Sequence, residues 1–349
     1  MSDRIRVGVI GAGAIGKIHI DSYREIPGVE VAAIAEKGVA RAKERAKVVG
    51  VEAFTGNWRK LIADRSIDAI DVCTPNCLHA PMTVAALKAG KHVICEKPMA
   101  MNVGEAKQMV AAAAKAKRTL MMAFCQRFSA AGQGARKIVE SGALGNVYHV
   151  RIEYVRQRGI PGLGGWFTTK KLSGGGPMLD VGVHFLDLTM WLLGFPKAKT
   201  ASAKAHSIFG HRKDYTYLGM WGTTPVAGGP FDVEDLLSGF VRFKNGMTLA
   251  IEATWACNCE SRGFVEILGD KGGLHIYPEV EFYGQSGGQL IMTKPQLPKV
   301  NPYTEELKHF LNCIRTRRKP MATGDHGMHD QTIIDALYKS AKLGKEVKV

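Results

Sequence analysis

Short apolar runs alternate with segments of helical periodicity over the first third of the chain. The runs lie at Ile5–Ile10, 29–35, 69–73, 92–95 and 119–123. Helices are expected just after residue 16, at 80–89 and at 103–116. Because strands that alternate with helices pair in parallel, this pattern predicts a doubly wound parallel sheet, and therefore an α/β fold.

The pattern changes after about residue 123. The expected strands become longer and alternate in polarity, and Asn245-Gly246 stands between two of them, which is a strong signal for a hairpin turn. A largely antiparallel open sheet is expected from 147–156, 198–207, 238–243, 247–256, 264–268 and 274–277, with helices at 135–140, 303–315 and 329–343. We therefore expect two domains, 1–123 and 124–349, packed with a cleft between them.

A glycine-rich turn follows the first strand, with the sequence Gly11-Ala12-Gly13-Ala14-Ile15-Gly16. A strand before it, a helix after it and an acid at the end of the second strand, Glu36, complete the context of a dinucleotide-binding turn. Pyrophosphate would contact the N–H groups at the helix N-terminus. Glu36 would accept the ribose hydroxyls and favours NAD, whereas Lys37 favours the extra phosphate of NADP; NAD is the preferred interpretation and NADP the alternative.

The segment 178–193 predicts a buried helix, because it is apolar almost all round and Gly194 ends it. Its polar residues Asp180, His184 and Asp187 are spaced i, i+4 and i+7, so they share one face. Buried carboxylates and imidazoles are costly unless they are paired or face a wet cavity. Three glycines, 174–176, precede them and would let another group approach the backbone. A core histidine and a capping aspartate are the alternative; together the residues favour a site.

Two further turns follow the C-terminal ends of predicted strands, where open α/β sheets bind ligands. They are Thr74-Pro75-Asn76 and Glu96-Lys97-Pro98. Lys97 is either a surface lysine or a residue of the site, and its place between a buried strand and a proline favours the site. The glycine-rich loop 156–166 carries Arg156 and Arg158, which would meet a carboxylate or phosphate unless the loop is simply a mobile lid.

The chain has 349 residues and a formal net charge of +15. The charge could serve an acidic partner, a phosphorylated substrate or nucleic acid. No basic cluster is interleaved with aromatic residues, so we expect no nucleic-acid partner. No apolar run has membrane-spanning length, and the first strand begins too early for a cleaved signal peptide, so we expect a cytoplasmic protein without a membrane partner.

The seven cysteines stand at irregular spacing, which fits a reducing compartment better than a disulfide framework. Cys73/Cys77 and Cys257/Cys259 each resemble half of a metal site. Neither pair comes with a second pair or with clustered histidines. We therefore predict no metal.

These motifs together resemble the Gfo/Idh/MocA oxidoreductases, which include glucose-fructose oxidoreductase and inositol dehydrogenases. The resemblance covers essentially the whole chain. It rests on Gly11 to Gly16, Thr74-Pro75-Asn76 with His79, Glu96-Lys97-Pro98, Gln126-Arg127-Phe128, Asp180-x-Gly182-x-His184 and Tyr303/Glu306/Phe310. It implies an N-terminal Rossmann domain and a C-terminal α+β domain that binds substrate and forms a homo-oligomer, a dimer or a tetramer, through the open face of its sheet.

The resemblance also implies roles for individual residues. Lys97 would lie near the nicotinamide ribose and the substrate, Asp180 and His184 would contact the reacting hydroxyl, and Trp166 would lie near the nicotinamide. Phe167 stands where several members have arginine, so that arginine's contacts are not carried over. The expected cofactor-binding residues are Gly11, Gly13, Ala14, Ile15, Glu36, Lys37, Thr74, Asn76, His79, Glu96, Lys97, Gln126 and Trp166. The expected substrate-binding residues are Lys97, Arg127, Arg156, Arg158, Trp166, Asp180 and His184.

The reaction expected from these residues is hydride transfer between a ring carbon of a sugar, cyclitol or sugar derivative and the nicotinamide. His184 would accept the hydroxyl proton, Asp180 would orient the substrate, and Lys97 would hydrogen-bond the developing alkoxide. One alternative retains NAD and oxidises a glycoside transiently, for elimination or epimerisation. Another is a non-catalytic regulator that senses the dinucleotide.

Overall fold

The computed structural model describes residues 4–55, 57–220 and 224–349. They divide into two compact units. The first contains the described residues up to Cys125 together with Asn301–Met328, and the second contains the others. The division into domains 1–123 and 124–349 stays a prediction. In the structure, Asn301–Met328 groups with the first unit, although along the chain it lies between two segments of the second, Thr224–Val300 and His329–Val349.

The first unit alternates strands with helices. Its strands are β1 (Ile5–Ile10), β2 (Val29–Glu36), β3 (Glu52–Thr55), β4 (Ala69–Val72), β5 (His92–Glu96) and β6 (Leu120–Ala123). Its helices are α1 (Ala14–Arg24), α2 (Val39–Val49), α3 (Trp58–Ala63), α4 (His79–Lys88) and α5 (Val103–Ala116). The strands form one parallel sheet in the order β3-β2-β1-β4-β5-β6, which confirms the predicted doubly wound sheet. The central strand β4 is buried along its whole length, as expected for a strand covered on both faces.

Apart from Asn301–Met328, the rest of the chain builds the second unit around a larger sheet. Its elements before residue 300 are, in chain order, α6 (Ala130–Glu140), β7 (Val147–Val155), α7 (Lys170–Ser173), α8 (Val183–Leu192), β8 (Ala198–His206), β9 (Leu236–Phe243), β10 (Thr248–Thr254), β11 (Arg262–Gly269), β12 (Gly273–Ile276), β13 (Val280–Ser286) and β14 (Gln289–Thr293). The chain then forms α9 (Pro302–Thr316), α10 (Gly324–Leu343) and β15 (Val347–Lys348).

The strands of this second sheet lie in the order β14-β13-β12-β11-β7-β10-β9-β8-β15. Every neighbouring pair is antiparallel except β7 and β10, which are parallel. The predicted mostly antiparallel sheet is therefore confirmed. The predicted hairpin is also present, since β9 and β10 are paired on either side of Asn245-Gly246 and Gly246 adopts a φ of 89°.

Helix α9 belongs to the first unit because of its contacts. Its N-terminus is capped by Asn301, whose Oδ1 accepts the N–H of Tyr303 at 3.1 Å. Thr304 Oγ1 donates to Glu25 Oε2 at 3.3 Å, and Arg315 Nη2 donates to the carbonyl of Gly28 at 2.7 Å. These bonds fix α9 to the end of α1 and the turn that follows it, which explains why Asn301–Met328 returns to this unit.

Among the residues that the structure describes, none of the helices combines the length and the apolar character that crossing a bilayer requires.

Candidate active site

The glycine-rich turn between β1 and α1 leaves open space at the start of the helix. Gly11 has a φ of +96°, and a Cβ on it would lie 2.2 Å from the carbonyl oxygen of Cys73. A Cβ on Gly16 would lie 2.1 Å from the carbonyl oxygen of Gly11, whereas one on Gly13 would meet nothing within 4 Å. The outer glycines therefore allow the turn to pack closely, and the middle one keeps the helix N-terminus accessible. No acid stands in the first turn, which begins with Ala14 and Ile15. This cradle fits a pyrophosphate.

Glu36, at the end of β2, is held beside that cradle. Its Oε2 accepts the N–H of Ala12 at 2.8 Å, and its Oε1 accepts the N–H of Gly38 at 3.0 Å. Lys37 is exposed beside it. The carboxylate lies where ribose hydroxyls of a dinucleotide bound in the cradle would be expected, so the residues present fit NAD.

The turns after β4 and β5 are tied together by one histidine. The ring of His79 lies fully buried, with Nδ1 2.7 Å from the carbonyl oxygen of Pro98 and Nε2 2.8 Å from that of Thr74. Burial lowers the pKa of His79, and the two carbonyls oppose that change. Asn76 is also buried at the start of the turn before α4. His79 is thus positioned to fix both turns rather than to contact a ligand through its ring nitrogens.

Lys97 is the exception in a buried stretch. Within 93–100, a segment that the structure describes in full, every residue except Lys97 is buried. Its backbone N–H donates to Oε2 of the preceding Glu96 at 3.0 Å. A side chain that reaches out of an otherwise buried turn at the C-terminal edge of a parallel sheet is well placed for a ligand.

Asp180 and His184 form the corresponding exception in the second unit. The segment 178–182 is a π-helical turn rather than the α-helix that was predicted, and α8 continues from it. Within 175–192, all of which is described, only Asp180 and His184 are not buried. Because π turns are frequent at functional sites, the altered helix start and the two accessible polar groups point to the same place.

Asp180 is held from both sides. The indole Nε1 of Trp255 donates to its Oδ2 at 2.9 Å, and Arg156 Nη1 lies 3.8 Å from the same oxygen. Trp255 itself is fully buried. The sequence reasoning missed Trp255; the available signal was a tryptophan in an apolar strand, whose N–H needs an acceptor when it is buried.

The third polar residue of the predicted face, Asp187, does not accompany Asp180 and His184. Its carboxylate forms two hydrogen bonds with Arg127, from Nε at 2.9 Å and from Nη2 at 2.5 Å. Both residues are 0 % exposed. Burial raises the pKa of the nearby Asp330 to about 7, while Arg127 opposes the change. The geometry therefore favours a structural ion pair for Arg127 over the substrate contact that was expected.

The three glycines before Asp180 have an explanation within the protein. Gly174 has a φ of +85°, a Cβ on Gly175 would lie 2.3 Å from the hydroxyl of Tyr338, and one on Gly176 would lie 2.0 Å from the carbonyl oxygen of Glu234. The Glu234 Oε1 accepts the N–H of Gly176 at 2.9 Å and the hydroxyl of Tyr338 at 2.6 Å. Burial raises the pKa of Glu234 to about 7. The groups that approach this backbone are thus Glu234 and Tyr338, and both were missed.

The loop after β7 divides its two arginines between different partners. Arg156 lies near Asp180, as described above. Arg158 donates from Nη1 to the carbonyl of Cys257 at 2.6 Å and from Nη2 to Asn258 Oδ1 at 2.8 Å, so its guanidinium braces the 257–258 loop. Trp166 and Phe167 stack on each other with ring centroids 3.7 Å apart. Arg156 is therefore the better candidate of the two for a substrate contact.

Gln126, expected to bind the cofactor, accepts a hydrogen bond from the hydroxyl of Tyr277 at 2.5 Å.

Lys97 belongs to the first unit, and Asp180 and His184 belong to the second. The meeting of these three groups at one substrate stays a prediction.

Comparison with known proteins identifies the family. A family model described as "Oxidoreductase family, NAD-binding Rossmann fold" matches residues 5–124, and the C-terminal domain model of the same family matches residues 133–275. The chain belongs to the Gfo/Idh/MocA family of oxidoreductases. The resemblance inferred from the motifs is thereby confirmed, and NAD, which the cradle fits, is the cofactor.

Three known proteins are similar to this oxidoreductase over essentially their whole length. D-glucoside 3-dehydrogenase of Escherichia coli (strain K12) is 31% identical over 100% of this chain and 98% of its own. Myo-inositol 2-dehydrogenase of Thermotoga maritima is 26% identical over 99% of this chain and 98% of its own. The solved structure of levoglucosan dehydrogenase in complex with NADH and levoglucosan superimposes with a TM-score of 0.86 at 26% identity, covering 99% of both chains.

Proposed function

We propose that this oxidoreductase is an NAD-dependent dehydrogenase that converts a secondary ring hydroxyl of a sugar, glycoside or cyclitol into a ketone. The observation that carries the proposal is the pair Asp180 and His184, the two accessible polar residues of an otherwise buried helical segment. His184 supplies a base and Asp180 a carboxylate, which the indole N–H of Trp255 orients through a hydrogen bond. Bound NAD would supply the hydride acceptor.

Each residue has a role that its surroundings support. His184 accepts the proton of the hydroxyl that is oxidised, and a well-placed base contributes about 10²- to 10⁴-fold to the rate. Asp180, held by Trp255 and Arg156, accepts a hydrogen bond from the substrate and favours the protonated imidazole after transfer. Lys97 donates a hydrogen bond to the oxygen on which negative charge develops.

The similar proteins narrow the substrate class. Their names specify a D-glucoside, levoglucosan and myo-inositol, all of which present ring hydroxyls on a six-membered ring. The full-length likeness to D-glucoside 3-dehydrogenase supports a pyranoside as substrate and its C3 hydroxyl as the group oxidised. Arg156, which lies near Asp180, would hydrogen-bond a neighbouring substrate hydroxyl or an acidic substituent.

The other two candidate functions receive less support. An enzyme that retains NAD would use the same residues, but the relatives described above are named as dehydrogenases. A regulator that only binds the dinucleotide would have no use for accessible polar groups at 180 and 184.

The protein is also proposed to act as a homo-oligomer. Tyr283, Leu290 and Met292 are exposed apolar side chains on the β13–β14 hairpin. The register pairs Tyr283 with Met292 and Gln285 with Leu290, so the three share one face of the sheet. Light scattering of the purified protein should give at least twice the 37.9 kDa of one chain; a monomer at micromolar concentration would contradict this.

A cytoplasmic location completes the proposal. Its support is the set of cysteines, which are free thiols in the structure, including Cys257 and Cys259 with their Sγ atoms 3.1 Å apart. Cell fractionation with an antibody to the protein would test it, and recovery in a secreted or membrane fraction would contradict it.

The function is tested by NAD reduction with methyl D-glucosides, levoglucosan and myo-inositol. We expect reduction with at least one of them, a ketone at C3 of the glucoside by NMR, and a primary isotope effect with glucoside deuterated at C3. His184→Ala should lose about 10²- to 10⁴-fold in kcat while binding NADH normally. His206→Ala, which changes an exposed histidine of β8, is the matched control. Equal turnover in both variants would refute the role of His184, and no NADH from any ring polyol would refute the function.

A further inference from the structure

A histidine without an assigned role lies buried beneath the turn that carries Lys97. His19 projects from α1 and is 0 % exposed. Its Nδ1 lies 2.8 Å from Asp71 Oδ2, at β4, and its Nε2 lies 3.3 Å from Glu96 Oε1, at the end of β5. The imidazole is thus placed between two buried carboxylates that come from neighbouring strands of the parallel sheet.

This arrangement is satisfied by one protonation state. Carboxylate oxygens only accept hydrogen bonds, and a neutral imidazole has one N–H. If that N–H lies on Nδ1 and faces Asp71, the lone pair of Nε2 would face Glu96 Oε1 at 3.3 Å, so only the imidazolium presents an N–H to both carboxylates. Two buried carboxylates also need a counter-charge. Burial, the largest single influence, lowers the pKa of His19, but Asp71 and Cys73 together outweigh it and the pKa lies well above its ordinary value. The direct 2.8 Å contact leaves His19 and Asp71 hydrogen-bonded to each other, which argues for an ion pair here rather than a metal site.

Glu96 connects this ion pair to the candidate active site. One of its oxygens faces His19, and the other accepts the backbone N–H of Lys97 at 3.0 Å. The next residue, Pro98, has its carbonyl 2.7 Å from His79. The Glu96 carboxylate therefore bridges from the buried imidazole to the backbone of the one residue in 93–100 that is not buried.

We propose that His19 is a positioning residue: with Asp71 it holds the Glu96 carboxylate, and through Glu96 it fixes the backbone from which Lys97 reaches its ligand. The inference rests on the proposed function, because the task of Lys97 is part of it. A displacement of about 1 Å at a reacting group can cost about 10²-fold in rate. Loss of the imidazolium should therefore act on turnover although His19 touches neither substrate nor cofactor.

The surroundings of the ion pair decide how a variant would titrate. The other titratable groups that face it are Tyr23 from α1, Cys73 after β4, His79 from α4, Cys95 from β5, Cys125 after β6, and Tyr303 and Glu306 from α9. Cys73 donates to Asp71 Oδ1 at 3.2 Å, and His79 already bridges two carbonyls. None of these groups places a cation between the carboxylates. In a His19→Gln protein, Asp71 and Glu96 would be buried without a positive charge between them, which disfavours the charged form of a carboxylate.

The test compares His19→Gln, Glu96→Gln and the double variant in the full chain. We expect His19→Gln to lower kcat by about 10²-fold, with unchanged NADH affinity, and to make kcat rise with pH over a range in which the wild type is flat. The double variant should be slow but flat, because the amide that Glu96→Gln introduces does not titrate. His92→Gln, at the other end of β5, is the control and should retain wild-type kcat. A His19→Gln enzyme with wild-type kcat, or one whose pH profile matches that of the double variant, would overturn the proposal.

A second readout is independent of activity and of how well His19→Gln folds. In wild-type protein labelled with ¹⁵N-histidine, both ring nitrogens of His19 should be protonated at pH 7, above the ordinary pKa of a histidine of about 6.5, and Glu96→Gln should shift the loss of the proton to lower pH. A neutral His19 ring at pH 7, or no shift in Glu96→Gln, would overturn the ion pair. If no sugar is oxidised by the wild type, the proposed function falls while this readout still decides the state of His19.

Discussion

Replacing Trp255 with phenylalanine isolates the hydrogen bond that orients Asp180. Phenylalanine keeps most of the buried ring but removes the indole N–H, which donates to Asp180 Oδ2 at 2.9 Å. Hydrogen bonds to charged groups contribute about 1.5–3 kcal/mol, and about 1.4 kcal/mol of transition-state stabilisation is a factor of ten in rate. If the whole contribution is used in the transition state, kcat/KM for the glucoside should fall by roughly 10- to 150-fold.

The assay is steady-state NAD reduction, with NADH affinity measured by calorimetry as a check on the cofactor site. Trp191→Phe is the matched control, because Trp191 is a buried tryptophan of α8 whose ring lies beside Arg136 rather than Asp180. We expect NADH affinity to be the same in both variants and kcat/KM to differ. If Trp255→Phe retains the kcat/KM of Trp191→Phe, the indole does not orient a catalytic carboxylate, and the assignment of Asp180 fails with it.

Gly176→Ala, Glu36→Gln and Asp330→Asn perturb three other contacts. In Gly176→Ala the Cβ would lie 2.0 Å from the Glu234 carbonyl oxygen, so the free energy of unfolding, measured in urea, should fall by about 1–3 kcal/mol. Gly263→Ala is the control and should show no such fall, because its Cβ would lie 3.4 Å from its nearest neighbour. Glu36→Gln should raise the ratio of NADP to NAD use by about tenfold, measured as kcat/KM for each cofactor, and an unchanged ratio would exclude Glu36 from ribose recognition. The pKa of Asp330 is raised to about 7 by burial, so the folded protein holds this proton more tightly than the unfolded chain and the free energy of unfolding should fall as the pH rises from about 4 to about 7. Asp330→Asn should reduce this pH-dependent change in the free energy of unfolding by up to several kcal/mol. An identical pH dependence in the variant would contradict the raised pKa of Asp330.

The parallel sheet was predictable because each of its buried strands is a compact apolar run with a helix beside it. The hairpin of β13 and β14 was missed for the opposite reason. Only Val280 of these two strands is buried, so no core imposes an apolar alternation on their sequence, and the Gly287-Gly288 turn between them has positive φ at both residues. A strand whose pairing depends on a neighbouring strand rather than on a core leaves little trace in its own sequence.

The sequence singles out the residues of the candidate site by their type, whereas their surroundings are visible only in the structure. Helical spacing placed Asp180, His184 and Asp187 on one face. In the structure Asp180 and His184 are partly exposed, whereas Asp187 is buried. Periodicity gives the direction of a side chain and not the group that it meets, which here is the buried Arg127. The π turn at 178–182 also alters the register that an α-helix would give.

The glycine run shows the same limit. Three successive glycines correctly predicted close approach to the backbone before Asp180. The approaching groups, Glu234 and Tyr338, lie 58 or more residues away along the chain. Because tertiary contacts at that separation have no local signature, only the structure identifies them.

The proposed function predicts that Lys97 and His184 act on one substrate oxygen. A double-mutant cycle with Lys97→Met, His184→Ala and the double variant measures this most directly, with kcat/KM for glucoside oxidation as the readout and NADH affinity as the check. Groups that serve the same transition state are strongly non-additive, so the double variant should be about as slow as the slower single variant. Losses that simply multiply would show that the two residues act independently, and would contradict the account.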